Sequence, residues 1–116
     1  MPSTTACKFG DVVLVGFPFT NLQTTKKRPA VVISDSAYQK GRPDVILMAI
    51  TSQVRQSLAF GEYLLQDWQQ ARLLKPSVLK PLIATIEQKR IIKTMGQLSK
   101  TDQQGLQRTL QTILGT

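Results

Sequence analysis

The apolar residues of this chain come in short runs dominated by β-branched side chains and separated by glycine, proline and polar residues. The clearest are Val12-Val13-Leu14-Val15, Ala30-Val31-Val32-Ile33 and Val45-Ile46-Leu47-Met48-Ala49-Ile50. Runs of this length fall far short of the ~20 residues needed to span a bilayer. They have the length and composition of buried strands. The first run follows Gly10-Asp11 and leaves through Gly16-Phe17-Pro18-Phe19-Thr20, which predicts a strand with a bend. Pro29 has no N–H to give to a ladder, so it is expected at the start of the second strand and not in its middle. A polar stretch from Asn21 to Lys27 reads as a flexible loop before it, and Asp35 to Pro43, with Gly41, as a connection after it. Phe60-Gly61-Glu62-Tyr63-Leu64-Leu65 is expected as a fourth strand. Gln66 to Arg72 is expected as a turn or a single helical turn carrying Trp68, and Ser77–Leu79 and Ile83–Ile86 as further short strands interrupted by Pro76 and Pro81.

The period changes near the C-terminus. Leu106, Leu110, Ile113 and Leu114 recur at i, i+4, i+7 and i+8, the stripe of a helix with one apolar face. Ser99 followed by Asp102 resembles a capping box with Asp in the place of Glu or Gln. Gly105 inside that helix costs on the order of 1 kcal/mol relative to Ala. Several short strands and one terminal helix define a β-rich α+β fold, a small β-barrel or strongly curved sheet. At 116 residues, 41% of them hydrophobic, the chain is one domain, 1–116, able to build a core without disulfides.

The chain has no histidine and one cysteine, Cys7. A Cys/His zinc site cannot be assembled within one chain, and Ser/His/Asp and Cys/His triads are excluded. The seven acids are scattered without D-x-D or E-x-x-E grouping, so neither a metal nor any other cofactor is expected. Fifteen Lys and Arg against those seven acids give a net charge of +8. The excess is spread: Lys26, Lys27 and Arg28 lie in one acid-free stretch, Arg72, Lys75 and Lys80 in a second, and Lys89, Arg90, Lys93 and Lys100 in a third. A broad field of one sign attracts polyanions or an acidic protein partner. The first seven residues lack an apolar signal core, and the expectation is a soluble, cytoplasmic protein away from membranes.

Five motifs then occur in order: Gly10-Asp11-Val12-Val13-Leu14-Val15, Phe17-Pro18-Phe19-Thr20, Lys27-Arg28-Pro29-Ala30-Val31-Val32-Ile33-Ser34, Ile50-Thr51-Ser52-Gln53 and Leu74-Lys75-Pro76-Ser77-Val78. Together they closely resemble the MazF/PemK toxin family of bacterial toxin-antitoxin systems, over nearly the whole chain. The resemblance implies an SH3-like barrel, a homodimer, and a metal-independent endoribonuclease acting on single-stranded RNA at short sequences. It also implies a cognate antitoxin whose acidic, apolar-studded tail covers the RNA groove. By position in the family motifs, Arg28 and Thr51 are the catalytic candidates. The loop residues Gln23, Thr24, Thr25, Lys26 and Lys27 are RNA-binding candidates, as are Ser52 and Gln53.

One element departs from the family pattern. Some members carry an arginine and an acid shortly after the Lys-Pro-Ser-Val element, where this chain reads Leu79-Lys80-Pro81-Leu82. Lys80 can take the cationic role and joins the RNA-binding set, whereas the acid has no evident replacement. The competing readings are a non-enzymatic toxin on the same barrel, of the gyrase-poisoning kind, and an RNA binder without catalysis. A housekeeping RNA-binding barrel would call for exposed aromatics, and Phe17, Phe19 and Phe60 are expected in core or turn positions.

Overall fold

A computed structural model describes residues 7–16 and 26–115. Its elements are strands β1 (Asp11–Gly16) and β2 (Lys27–Val32), a short helix α1 (Ser36–Gly41), strands β3 (Asp44–Thr51), β4 (Tyr63–Leu64), β5 (Val78–Glu87) and β6 (Ile91–Gln97), and helix α2 (Lys100–Leu114). The six strands form one sheet in the order β4-β5-β3-β2-β1-β6, and every pairing is antiparallel. The end strands β4 and β6 are not paired to each other, so the sheet is barrel-like but open.

The two-residue period of a strand explains why the central runs are apolar throughout. Val12, Val31, Met48 and Ile50 face one way and meet Leu65, Leu73, Leu79, Leu98 and Leu106. Val13, Val15, Ala30, Val32, Val45 and Leu47 face the other way. Helix α2 lays three of its four stripe residues on the first cluster, with Leu106 buried and Leu110 and Ile113 packed against it, whereas Leu114, in the last turn, is exposed. Truncating a side chain as enclosed as Leu106 to Ala typically removes ~2–5 kcal/mol. The second cluster is closed by Ala84 and Ile86 of β5 and by Ile91 of β6, so strands near opposite ends of the order curl toward the same core.

Several local expectations change. Pro29 is the third residue of β2, opposite Leu14 of β1, where the β2 ladder to β3 has not yet begun. Its missing N–H is therefore harmless there. The two short strands expected around Pro81 are one strand, β5, whose register against β3 jumps between Met48↔Ile83 and Ala49↔Lys80. The prolyl residue sits in the resulting bulge, a place where a strand tolerates it. The fourth strand is only Tyr63–Leu64, because Phe60 and Gly61 form a turn with Gly61 at φ +85°. Helix α1 and strand β6 were not evident in the sequence. The bend expected at 17–20 lies outside the described residues.

Ser99 caps α2 by accepting from the Asp102 N–H at 3.2 Å. The Asp102 carboxylate does not complete a capping box. Fully buried, it accepts from the Gln66 and Asp67 N–H groups at 2.9 and 2.8 Å and from the Tyr63 hydroxyl. A shorter acid in the box position thus ties the helix start to the segment after β4. No helix among the described residues is long and apolar enough to cross a membrane.

Candidate functional site

Three adjoining cavities of about 440, 220 and 340 Å³ form a trough where the ends of β2, β3 and β5 meet. Thr51, the last residue of β3, lines all three. Arg28, near the start of β2, lines the first two, and Lys80, at the β5 bulge, lines the last two. Antiparallel pairing makes this inevitable. The same register that sets Ala30 against Ala49 brings the start of β2 beside the end of β3, and Thr51 opposite Val78 brings the start of β5 there too.

The Thr51 side-chain oxygen accepts from the Gln53 N–H at 3.1 Å. A hydroxyl has one proton and two lone pairs, so this bond leaves the O–H free to donate into the trough. Thr51 is half-buried, while Arg28, Lys26, Lys27, Ser52 and Gln53 are exposed and Lys80 is half-buried. Lys26, Lys27 and Ser52 line the largest cavity and Gln53 the two smaller ones. Gln23, Thr24 and Thr25 lie outside the described residues.

Six cationic side chains line the trough (Lys26, Lys27, Arg28, Arg55, Lys75 and Lys80) against one carboxylate, Glu62. The two ion pairs among the described residues, Arg42–Asp44 and Lys89–Glu87, lie elsewhere. The field inside is thus strongly positive and suited to a multiply charged anion. Its floor is partly apolar, with Leu14, Ile50 and Leu73, and Leu74 stands at the rim 91% exposed. No three Cys, Asp or Glu side chains converge among the described residues. Cys7 lines none of the three cavities: it is buried in the second cluster, and burial, reinforced by Asp11, raises its thiol pKa.

Sequence reasoning missed Arg55, Phe60, Glu62 and Lys75 as members of this site. Phe60, expected in a core or a turn, occupies the turn and is 80% exposed, in the cavity that also holds Glu62. No acid follows the Lys-Pro-Ser-Val element, and the one carboxylate lining the trough, Glu62, comes instead from just before β4. The available signal was Gly61, a turn residue inside what reads as a strand.

A curled, open antiparallel sheet with a terminal helix on one face and a cationic trough at its strand ends defines a small basic α+β domain. Comparison with known families is specific. Residues 8–114 match the model of the PemK-like, MazF-like toxins of type II toxin-antitoxin systems, and the chain belongs to that family. It is similar in fold to a mycobacterial endoribonuclease solved in complex with its cognate antitoxin (TM-score 0.77, 17% identity, covering 95% of this chain and 96% of that one). It is likewise similar to the MazE-MazF complex, form III, of Deinococcus radiodurans (TM-score 0.75, 19% identity, 97% and 99%). A third similar fold is the Mycobacterium tuberculosis toxin MazF-mt6 (TM-score 0.68, 17% identity, 90% and 96%). No curated protein sequence matches the chain.

Proposed function

We propose that the chain is a sequence-specific endoribonuclease toxin that cleaves single-stranded RNA without a metal ion. The carrying observation is the meeting of Arg28, Thr51 and Lys80 in a trough whose six cations face a single carboxylate. RNA supplies its own nucleophile. The 2′-oxygen bonds to the adjacent phosphorus as its proton passes to solvent water. The P–O5′ bond breaks, and the 5′-oxygen takes up a proton, leaving a 2′,3′-cyclic phosphate and a 5′-OH.

The protein's task is then to stabilise charge that grows on phosphorus. Arg28 holds two phosphate oxygens with its planar fork and stays charged at any relevant pH. Thr51 adds a hydroxyl donor already oriented by Gln53. Lys80, a third donor in the cavity they share, suits the leaving 5′-oxygen. Preorganised donors of this kind contribute roughly 3–4 kcal/mol each to the transition state. Lys26, Lys27, Ser52 and Gln53 hold the flanking RNA, and so do Gln23, Thr24 and Thr25, which precede Lys26 in the sequence.

The toxin acts in the cytoplasm as a homodimer and is restrained by a cognate antitoxin. An acidic, apolar-studded segment matches the unneutralised cations and the exposed Leu74 at the rim. The antitoxin complexes of the mycobacterial and Deinococcus relatives support that partner class.

The test is incubation of mixed-sequence RNA with the protein in EDTA, beside Arg28→Ala and Thr51→Ala. Cleavage is expected to persist in EDTA, to leave cyclic phosphate ends, and to fall ~100- to 1,000-fold in Arg28→Ala. Intact RNA in the presence of folded wild-type protein overturns the enzymatic reading in favour of a binding toxin.

A further inference from the structure

We infer that the 340 Å³ lobe beside Thr51 is a nucleobase subsite that holds one unstacked base of the RNA on Phe60 and selects guanine through Glu62. The inference rests on the ribonuclease reading and deepens it. Its volume falls within the ~300–1,000 Å³ usual for small-ligand sites.

Phe60 is the starting point, because an 80% exposed aromatic ring sacrifices burial that a core position would provide. Its exposure does not come from a loose loop. Gly61 holds φ +85°, and a Cβ there would lie 2.8 Å from Ile113 Cγ2 and 3.4 Å from Pro81 Cγ, so the turn is wedged between α2 and β5. The next residue closes it: the Glu62 N–H donates to Ala59 O at 3.1 Å, and Glu62 Oε1 accepts from the Ala59 N–H at 2.9 Å. A ring on a rigid turn, at the wall of a cationic cavity, is what a splayed RNA base stacks on. Arg55 lines the same cavity and brings a planar cation able to cover the base or its phosphate.

Glu62 provides the selectivity. A carboxylate only accepts hydrogen bonds, and the one from Ala59 leaves it further acceptor sites. Guanine alone offers two adjacent donors, N1–H and N2–H, on its Watson–Crick edge. Adenine and cytosine set a donor beside an acceptor, and uracil flanks its one donor with two acceptors. Lys80 and Thr51 line both this lobe and the one shared with Arg28, so the base held here adjoins the phosphate being cut.

Two readouts test the subsite. A random RNA pool is digested and its ends sequenced, and a random pool of uncleavable 2′-O-methyl RNA decamers is bound and the retained fraction sequenced. Wild-type protein is expected to enrich guanine at one fixed offset from the cut and in the bound decamers. Glu62→Gln abolishes that enrichment. Phe60→Ala weakens decamer binding by roughly 5- to 150-fold, and Phe60→Trp restores it. Guanine enrichment unchanged in Glu62→Gln, with binding within twofold of wild type in a folded Phe60→Ala, overturns the subsite. Failure of wild-type cleavage alone overturns the ribonuclease reading, and the decamer arm still decides the subsite.

Discussion

The Tyr63 hydroxyl donates to Asp102 Oδ1 at 2.8 Å, joining the shortest strand of the sheet to the first turn of α2 across 39 residues of chain. Because Asp102 also holds the Gln66 and Asp67 N–H groups, its loss strands three donors at once. Each unsatisfied buried group costs ~1–3 kcal/mol. Asp102→Ala is expected to lose about 3–5 kcal/mol in urea denaturation, and Tyr63→Phe, which removes one bond, about 1 kcal/mol. Equal losses in the two variants contradict Asp102 as the hub.

The same pair sets an alkaline limit. Burial, then the hydrogen bond and the charge of Asp102, push the Tyr63 phenol up from 10.0 to about 12. Between pH 10 and 12 the unfolded chain gives up this proton and the folded one keeps it, so stability declines with rising pH across that window. Below pH 10 the contribution is complete. Urea midpoints measured from pH 9 to pH 11.5 should fall more steeply in wild type than in Tyr63→Phe, and parallel curves would contradict the assignment.

Gly105 faces the same tyrosine. A Cβ at position 105 would overlap the Tyr63 ring, so the helix uses glycine despite a propensity loss of ~1 kcal/mol relative to Ala. Gly105→Ala should therefore destabilise by up to ~2 kcal/mol net, since overpacking costs ~1–3 kcal/mol and the propensity gain returns ~1 kcal/mol. A stabilised variant in thermal melting would show that the ring gives way.

Five of the trough cations, Lys26, Lys27, Arg28, Lys75 and Lys80, line the two cavities that Arg28 shares, and the proposed function gives each of them one phosphate. With ~0.7 counterions released per phosphate on a single strand, log K for RNA should fall against log salt with a slope of about −3.5. Lys75→Ala should reduce that slope by ~0.7, a change read directly from binding isotherms at several salt concentrations. A slope near zero would mean that the trough does not hold a phosphate backbone.

The three strands β1, β2 and β3 were legible because both their faces are buried, so each is a short, β-branched-rich apolar run bounded by glycine, proline or polar residues. The terminal helix was legible from its single stripe. Strand β6 was not, because Ile91-Ile92-Lys93-Thr94-Met95 is an edge strand, mostly exposed, and carries no run. Helix α1, six residues long, is too short to display a period. Pro81 misled because a proline that splits a strand in sequence can also sit in a bulge of an unbroken one. At the site, Arg28, Thr51 and Lys80 stood out within motifs, and register brings them together. Phe60 and Glu62 belong to no motif, and their place in the trough depends on the Gly61 turn packing against Pro81 and Ile113.

The pairing of β1 with β6 carries a consequence for biosynthesis. Asp11 and Gln97, joined at one end of that ladder, are 86 residues apart. A nascent chain that has already released Arg28 and Thr51 from the ribosome still lacks one flank of its first strand and the Asp102 anchor behind the Phe60 turn. Long-range closure of this kind comes late in folding. The trough is thus assembled only once nearly all of the domain has left the ribosome, so the nuclease stays incomplete through most of the synthesis of its own domain.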